Sequence, residues 1–164
     1  MLAQFAGRLA ATPLSQLFQA KLWVVPLVQC VHILAIAAVM ASVWVFSFRI
    51  IGISGRVHAV SEISRDVVPW IWRALIVLLA SGSVLIIAEP ARELTNPVFL
   101  FKMALIPIAA APTLAFQIAI RRNAARWDRP EGNPVPVKAF AALLLGLWLT
   151  VAVAGRLIAY AEHA

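Results

Sequence analysis

Residues 23–48 read WVVPLVQCVHILAIAAVMASVWVFSF, and no acidic or basic side chain other than His32 interrupts them before Arg49. A helix rises 1.5 Å per residue, so about 20 predominantly apolar residues cross a hydrocarbon core about 30 Å thick. This run is long enough. In lipid the backbone must satisfy its own hydrogen bonds, which leaves a helix as the structure for a single apolar span.

Three further stretches have the same character: 67–88, 98–120 and 139–160. Breakers separate them. Gly52 and Gly55 lie in the first connection, Pro90 and Pro97 bound the second, and Pro130, Pro134 and Pro136 crowd the third. The expectation is an all-α membrane protein, a four-transmembrane up-and-down bundle, because short connections make consecutive helices antiparallel neighbours. Residues 1–22 form an N-terminal interfacial segment, in which Thr12-Pro13 opens a short helix reaching Lys21. Residues 161–164 are a tail. The N-terminal stretch, with Gln4, Arg8, Thr12 and Pro13 ahead of any long apolar run, does not read as a cleavable signal.

Composition agrees. Hydrophobic residues make up 63% of the chain and charged residues 13%, whereas a soluble domain carries about 25% charged residues. The net charge of +7 does not point to nucleic acid. The bases sit in short segments between apolar runs, where they set membrane orientation. The first and third connections, with Arg73 snorkelling toward them, hold nine of the basic residues, against five on the other side. The positive-inside rule then places both basic loops in the cytoplasm and both termini outside. Trp23 marks the outer boundary, and Trp70, Trp72 and Trp127 the inner one; Trp44 and Trp148 fit the belts less well and are expected between helices. Ala35, Ala38, Ser42, Ser81 and Gly82 are small enough to let helices approach closely, and Pro107 and Pro112 are expected to bend the third span.

Polar groups inside a span are costly, so each needs a reason. His32 lies about 13 Å below Trp23 along a helix, with Gln29 one turn above it. Lys102 and Arg156 lie within the outer ends of the third and fourth spans. Glu89 closes the second span above Ser81 and Ser83, and Thr150 shares the depth of His32. Turned inward, these groups form an outward-opening pocket with His32 as its floor and Glu89 neutralising Lys102 or Arg156. The opposing reading has Lys102, Arg156 and Glu89 reaching the interface and His32 hydrogen-bonded to a neighbouring helix. Cys30 and His32, two apart, point to different sides of a helix and make a poor chelate. A lone Cys30 forms no internal disulfide. No catalytic triad, zinc motif or phosphate loop is present. The run 121–129 carries four arginines, read either as a topology signal or as a site for anionic lipid headgroups.

Several stretches carry a resemblance. Residues 23–34 (WVVPLVQCVHIL), Arg49-Ile50-Ile51-Gly52, Ala88-Glu89-Pro90 through Asn96-Pro97-Val98-Phe99 with Lys102, and Gly155-Arg156 resemble a family of bacterial four-helix membrane proteins that carries no assigned activity. The resemblance covers nearly the whole chain and implies a bacterial inner membrane location. It puts His32, Glu89, Asn96, Lys102 and Arg156 at family-type positions. A looser likeness to copper-resistance D-type domains and small b-type cytochromes implies histidine ligation of metal or haem b. Here only His32 is inside a span, so a haem would need Met40, Met103, an open coordination site or a second subunit's ligand.

Three functions follow. The first is a non-catalytic component or assembly partner of a larger membrane complex. The second is a haem- or metal-binding redox protein with His32 as ligand and Lys102 and Arg156 meeting propionates. The third is a small-solute or ion permease, which with four helices would need to dimerise. All three expect a lipid bilayer, and a homo-oligomer or larger complex, around the chain.

Overall fold

The computed structural model describes residues 2–53, 59–128 and 133–158. Two short helices come first, α1 (Leu2–Ala10) and α2 (Pro13–Ala20). The spans are α3 (Val24–Ile51), α4 (Val60–Ala88), α6 (Pro97–Arg122) and α8 (Val135–Leu157), with short helices α5 (Pro90–Leu94) and α7 (Ala124–Trp127) in the connections. All four long helices have the length and composition to cross a membrane. No strand occurs among the described residues. The chain is an all-α, four-span membrane protein.

The expected spans are present, and most run further than the apolar stretches. Helix α4 begins at Val60, not at residue 67, although Glu62, Arg65 and Asp66 lie in its first turns. Its buried positions Val60, Ser64, Val68, Ile71 and Ala74 recur every three or four residues. That face binds the turn to the bundle while the charged side chains look away. Helix α3 stops at Gly52, whose φ of +96° is a left-handed conformation that a side chain would strain. Helix α6 runs without interruption through Pro107 and Pro112. The expected end of the fourth span, Tyr160, and the tail at 161–164 lie outside the described residues, as do Gly55, Arg56, His58, Arg129, Pro130 and His163.

Neighbours in the bundle follow the order α4, α3, α8, α6. The most extensive packing is between α3 and α4, where Ala35, Ser42 and Ser81 are buried. Helix α3 also packs along α8, and α8 along α6, whereas α4 and α6 meet over a smaller area. Thus the first and last spans are close neighbours, and the two middle ones are the least joined of the adjacent pairs.

The apolar core lies in one half of the bundle. Val39, Val43, Phe46 and Ile50 of α3 meet Val60, Val68 and Ile71 of α4, Phe116 and Ile120 of α6, and Leu144 and Trp148 of α8. Apart from Trp148, near mid-span of α8, these residues lie in the halves of the helices that lead into the basic loops. Phe116 organises the aromatic part, edge-on to Phe46 at 6.2 Å and stacked on Phe140 at 5.1 Å. The loops at this end are tied down: Asp128 accepts from the backbone N–H and the hydroxyl of Ser61, and Asn133 donates to the Ile50 carbonyl. Both basic connections therefore share one end.

At the opposite end, α1 and α2 fold against α5 and the end of α4. Thr12 caps α2, accepting from the Ser15 N–H, as the Thr-Pro pair predicts. Gln19 then donates to the Ala88 carbonyl at 3.0 Å and fixes α2 to the end of α4. Helix α1 is a second short helix that the sequence reading did not separate from its surroundings. It places Leu2 and Phe5 on the surface and buries Ala6.

Candidate functional site

Opposite the apolar core, the half of the bundle nearer α1 and α2 holds the ionisable side chains His32 and Lys102. His32, about 12 Å into α3, meets Ser81, about 10 Å from the end of α4. The His32 Nδ1 and Ser81 Oγ are 2.7 Å apart. The Ser81 Oγ also lies 2.6 Å from the Val77 carbonyl oxygen. Two oxygens at that separation hold a proton between them, and the carbonyl has none of its own. The Ser81 hydroxyl thus donates to the Val77 carbonyl, and its oxygen accepts from the N–H at Nδ1 of His32. In the neutral ring this leaves the lone pair on Nε2.

Glycine makes room for both ionisable groups. A Cβ on Gly82 would lie 3.5 Å from Cε1 of His32, and one on Gly155 of α8 would lie 3.6 Å from Cδ of Lys102. Each side chain therefore rests against a glycine on a neighbouring helix. The ammonium of Lys102 sits 5.2 Å from the ring centroid of Phe99, one turn earlier on α6. Lys102 is within electrostatic reach of His32, and Glu93 is within reach of Lys102. His32, Ser81, Lys102 and Gly155 bring all four spans to one region.

The other candidates part company here. Gln29 is exposed on α3 and stands off the bundle. Glu89 pairs at 2.6 Å with Arg92, one turn along α5, rather than with Lys102 or Arg156. Glu93 is the acid within reach of Lys102. Arg156 is exposed on α8. Ser83 and Thr150 are exposed and donate to carbonyls of their own helices, Leu79 and Gly146. Cys30 is exposed too, and no group of three metal-ligating side chains occurs among the described residues.

Asn96 holds a place of its own. It is 6% exposed, caps α6 by accepting from the Val98 N–H at 2.9 Å, and donates to the Ile158 carbonyl at 3.3 Å. The N-terminus of α6 is thereby joined to the C-terminus of α8. Two polar bridges escaped the sequence reading. The Trp72 indole donates to Gln117 Oε1 at 2.8 Å, joining α4 to α6, and the Trp148 indole donates to Thr113 Oγ1 at 3.1 Å, joining α8 to α6. Their signal was present: Thr113 and Gln117 are four residues apart, on one face of an otherwise apolar helix. Trp148 lies between helices as expected, whereas Trp44 is 47% exposed.

No family model, curated protein or solved structure matches the chain.

Proposed function

We propose that the chain is a non-catalytic component of a larger membrane assembly. On this reading it sits in a bacterial inner membrane, with its basic loops cytoplasmic and its termini outside, and belongs with the four-helix family it resembles. The observation that carries the proposal is what the deep polar side chains do. His32 with Ser81, Trp72 with Gln117, Trp148 with Thr113 and Asn96 with Ile158 each join one span to another. Hydrogen bonds between transmembrane helices are worth about 0.6 kcal/mol on average and up to about 1.7. Four of them give a small bundle its register, and none requires turnover.

Partners, whether copies of this chain or other subunits, would meet the exposed apolar wall. On α3 this wall includes Leu34 at 70%, Ile33 at 60% and Trp44 at 47% exposure. Gentle extraction from source membranes tests the reading. The chain is expected to run in a complex of defined composition, and His32→Ala is expected to leave that composition unchanged. A chain that runs alone as a monomer contradicts it.

One observation favours the redox alternative. A ligating histidine characteristically donates its second ring N–H to a neighbouring acceptor, which fixes the ring, and His32 does this toward Ser81. Among the described residues, however, His32 is the only histidine. Met40 is eight residues further along α3, about 12 Å away along the axis, and Met103 is 40% exposed on α6. On this alternative two copies share the group. A Soret band that sharpens on reduction and disappears in His32→Ala would support this alternative against the first reading.

A further inference from the structure

The smaller contact between α4 and α6 leaves a crevice of about 480 Å³, lined by Pro69, Trp72, Leu114, Gln117 and Arg121. It opens in the half of the bundle nearer the basic loops. The Trp72–Gln117 bond crosses it.

That bond settles which way the Gln117 amide faces. An indole N–H only donates, so the atom it meets is the carbonyl oxygen, and the two N–H donors of the amide turn elsewhere. Among the described residues they have no acceptor, although Gln117 is only 6% exposed. One turn further along the same face stands Arg121, exposed and with no ion pair among the described residues. Arg122 and Arg126 follow. Two of the nearby acids are already engaged: Asp66 lies beside Arg65, and Asp128 accepts from Ser61.

We infer that this crevice binds one anionic phospholipid from the basic-side leaflet. A phosphoglyceride carries its ester carbonyls a few ångströms deeper in the membrane than its phosphate. Arg121 and Gln117 are separated by about 6 Å of helix in the same sense. The guanidinium meets the phosphate, the amide N–H groups donate to an ester carbonyl, and the acyl chain lies along Leu114 and Pro69. Basic pockets between transmembrane helices select anionic headgroups in this manner. A choline or ethanolamine cation would be set against the Arg121 guanidinium, so a zwitterionic lipid fits less well. Free phosphate satisfies the arginine but has no carbonyl for Gln117.

Native mass spectrometry of the detergent-purified chain tests this by titration with phosphatidylglycerol, phosphatidylcholine of matched acyl chains, and inorganic phosphate. Phosphatidylglycerol is expected to bind more tightly than phosphatidylcholine. Arg121→Gln is expected to cut that preference about fivefold, the value of one basic residue near a membrane surface. Arg126→Gln, outside the crevice, is expected to leave it unchanged. Leu114→Trp, which fills the crevice without altering charge, is expected to lower binding of both lipids. Equal binding of the two lipids by the unmodified chain overturns the proposal. So does an equal loss in Arg121→Gln and Arg126→Gln, which would mean a diffuse basic surface. Displacement of phosphatidylglycerol by inorganic phosphate at comparable concentration would make the site one for a free anion and also overturn it.

Discussion

Nδ1 of His32 on α3 donates to Oγ of Ser81 on α4 across 2.7 Å, and the Ser81 hydroxyl in turn donates to the Val77 carbonyl. The histidine is thereby fixed in one tautomer and one orientation. The contact also explains how an ionisable ring is accommodated about 12 Å into a span: its polar edge is turned onto the neighbouring helix, within the most extensively packed pair of the bundle.

Removing the acceptor should therefore weaken the α3–α4 pair. Ser81→Ala leaves the His32 N–H without its partner and is expected to cost about 0.6–1.7 kcal/mol. Reversible unfolding in mixed micelles measures the loss. Ser83→Ala serves as the control, because Ser83 is exposed and bonds only its own helix; it is expected to change stability little.

Gly82 offers a test of available space. Its added Cβ would be in ordinary van der Waals contact with His32, at 3.5 Å. Gly82→Ala is expected to be tolerated and to raise stability by up to about 0.5–1 kcal/mol, since glycine is the poorer residue in a helix interior. Gly82→Leu has no room beside the imidazole and is expected to lower stability by about 1–3 kcal/mol through overpacking. The same unfolding assay distinguishes the two signs.

Asn96 performs two separable tasks. Asn96→Ala removes both the cap on α6 and the bond to the Ile158 carbonyl, and is expected to cost about 1–2 kcal/mol. Asn96→Asp keeps an oxygen for the Val98 N–H but sets a carboxylate against the Ile158 carbonyl. Hydrogen exchange separates them: the alanine variant is expected to expose amides at both helix ends, and the aspartate variant only those of the last turn of α8.

The fold was legible because lipid allows few solutions. A run such as 23–48 has no alternative to a helix, and four runs with short connections give an up-and-down bundle. Helix ends were less legible. Hydropathy reports where lipid stops, whereas α4 continues to Val60 because one face of its charged first turns still packs on the bundle. The site was legible by depth and illegible by azimuth. His32 stood out as a histidine deep within a span, whereas position along the chain left open whether Lys102 turns toward it or reaches the interface. Which serine faces His32 depends on the rotation of α4. So do the exposure of Gln29 on α3 and the pairing of Glu89 with Arg92 on α5 depend on local rotation rather than position along the chain. A helix that is apolar nearly all round carries little record of that rotation.

The most direct test of a structural rather than chemical role for His32 is a double-mutant cycle of His32→Leu and Ser81→Ala, read both as stability and as the composition of the complex extracted in mild detergent. Replacing both partners by apolar groups removes the need for the bond and leaves no orphaned donor. The account predicts a coupling of about 0.6–1.7 kcal/mol, with the double variant more stable than the two separate losses imply and still found in the same complex. A double variant that is fully folded, yet has lost its complex or a reduced-minus-oxidised absorption present in the unmodified protein, would contradict the account and make His32 a chemical centre.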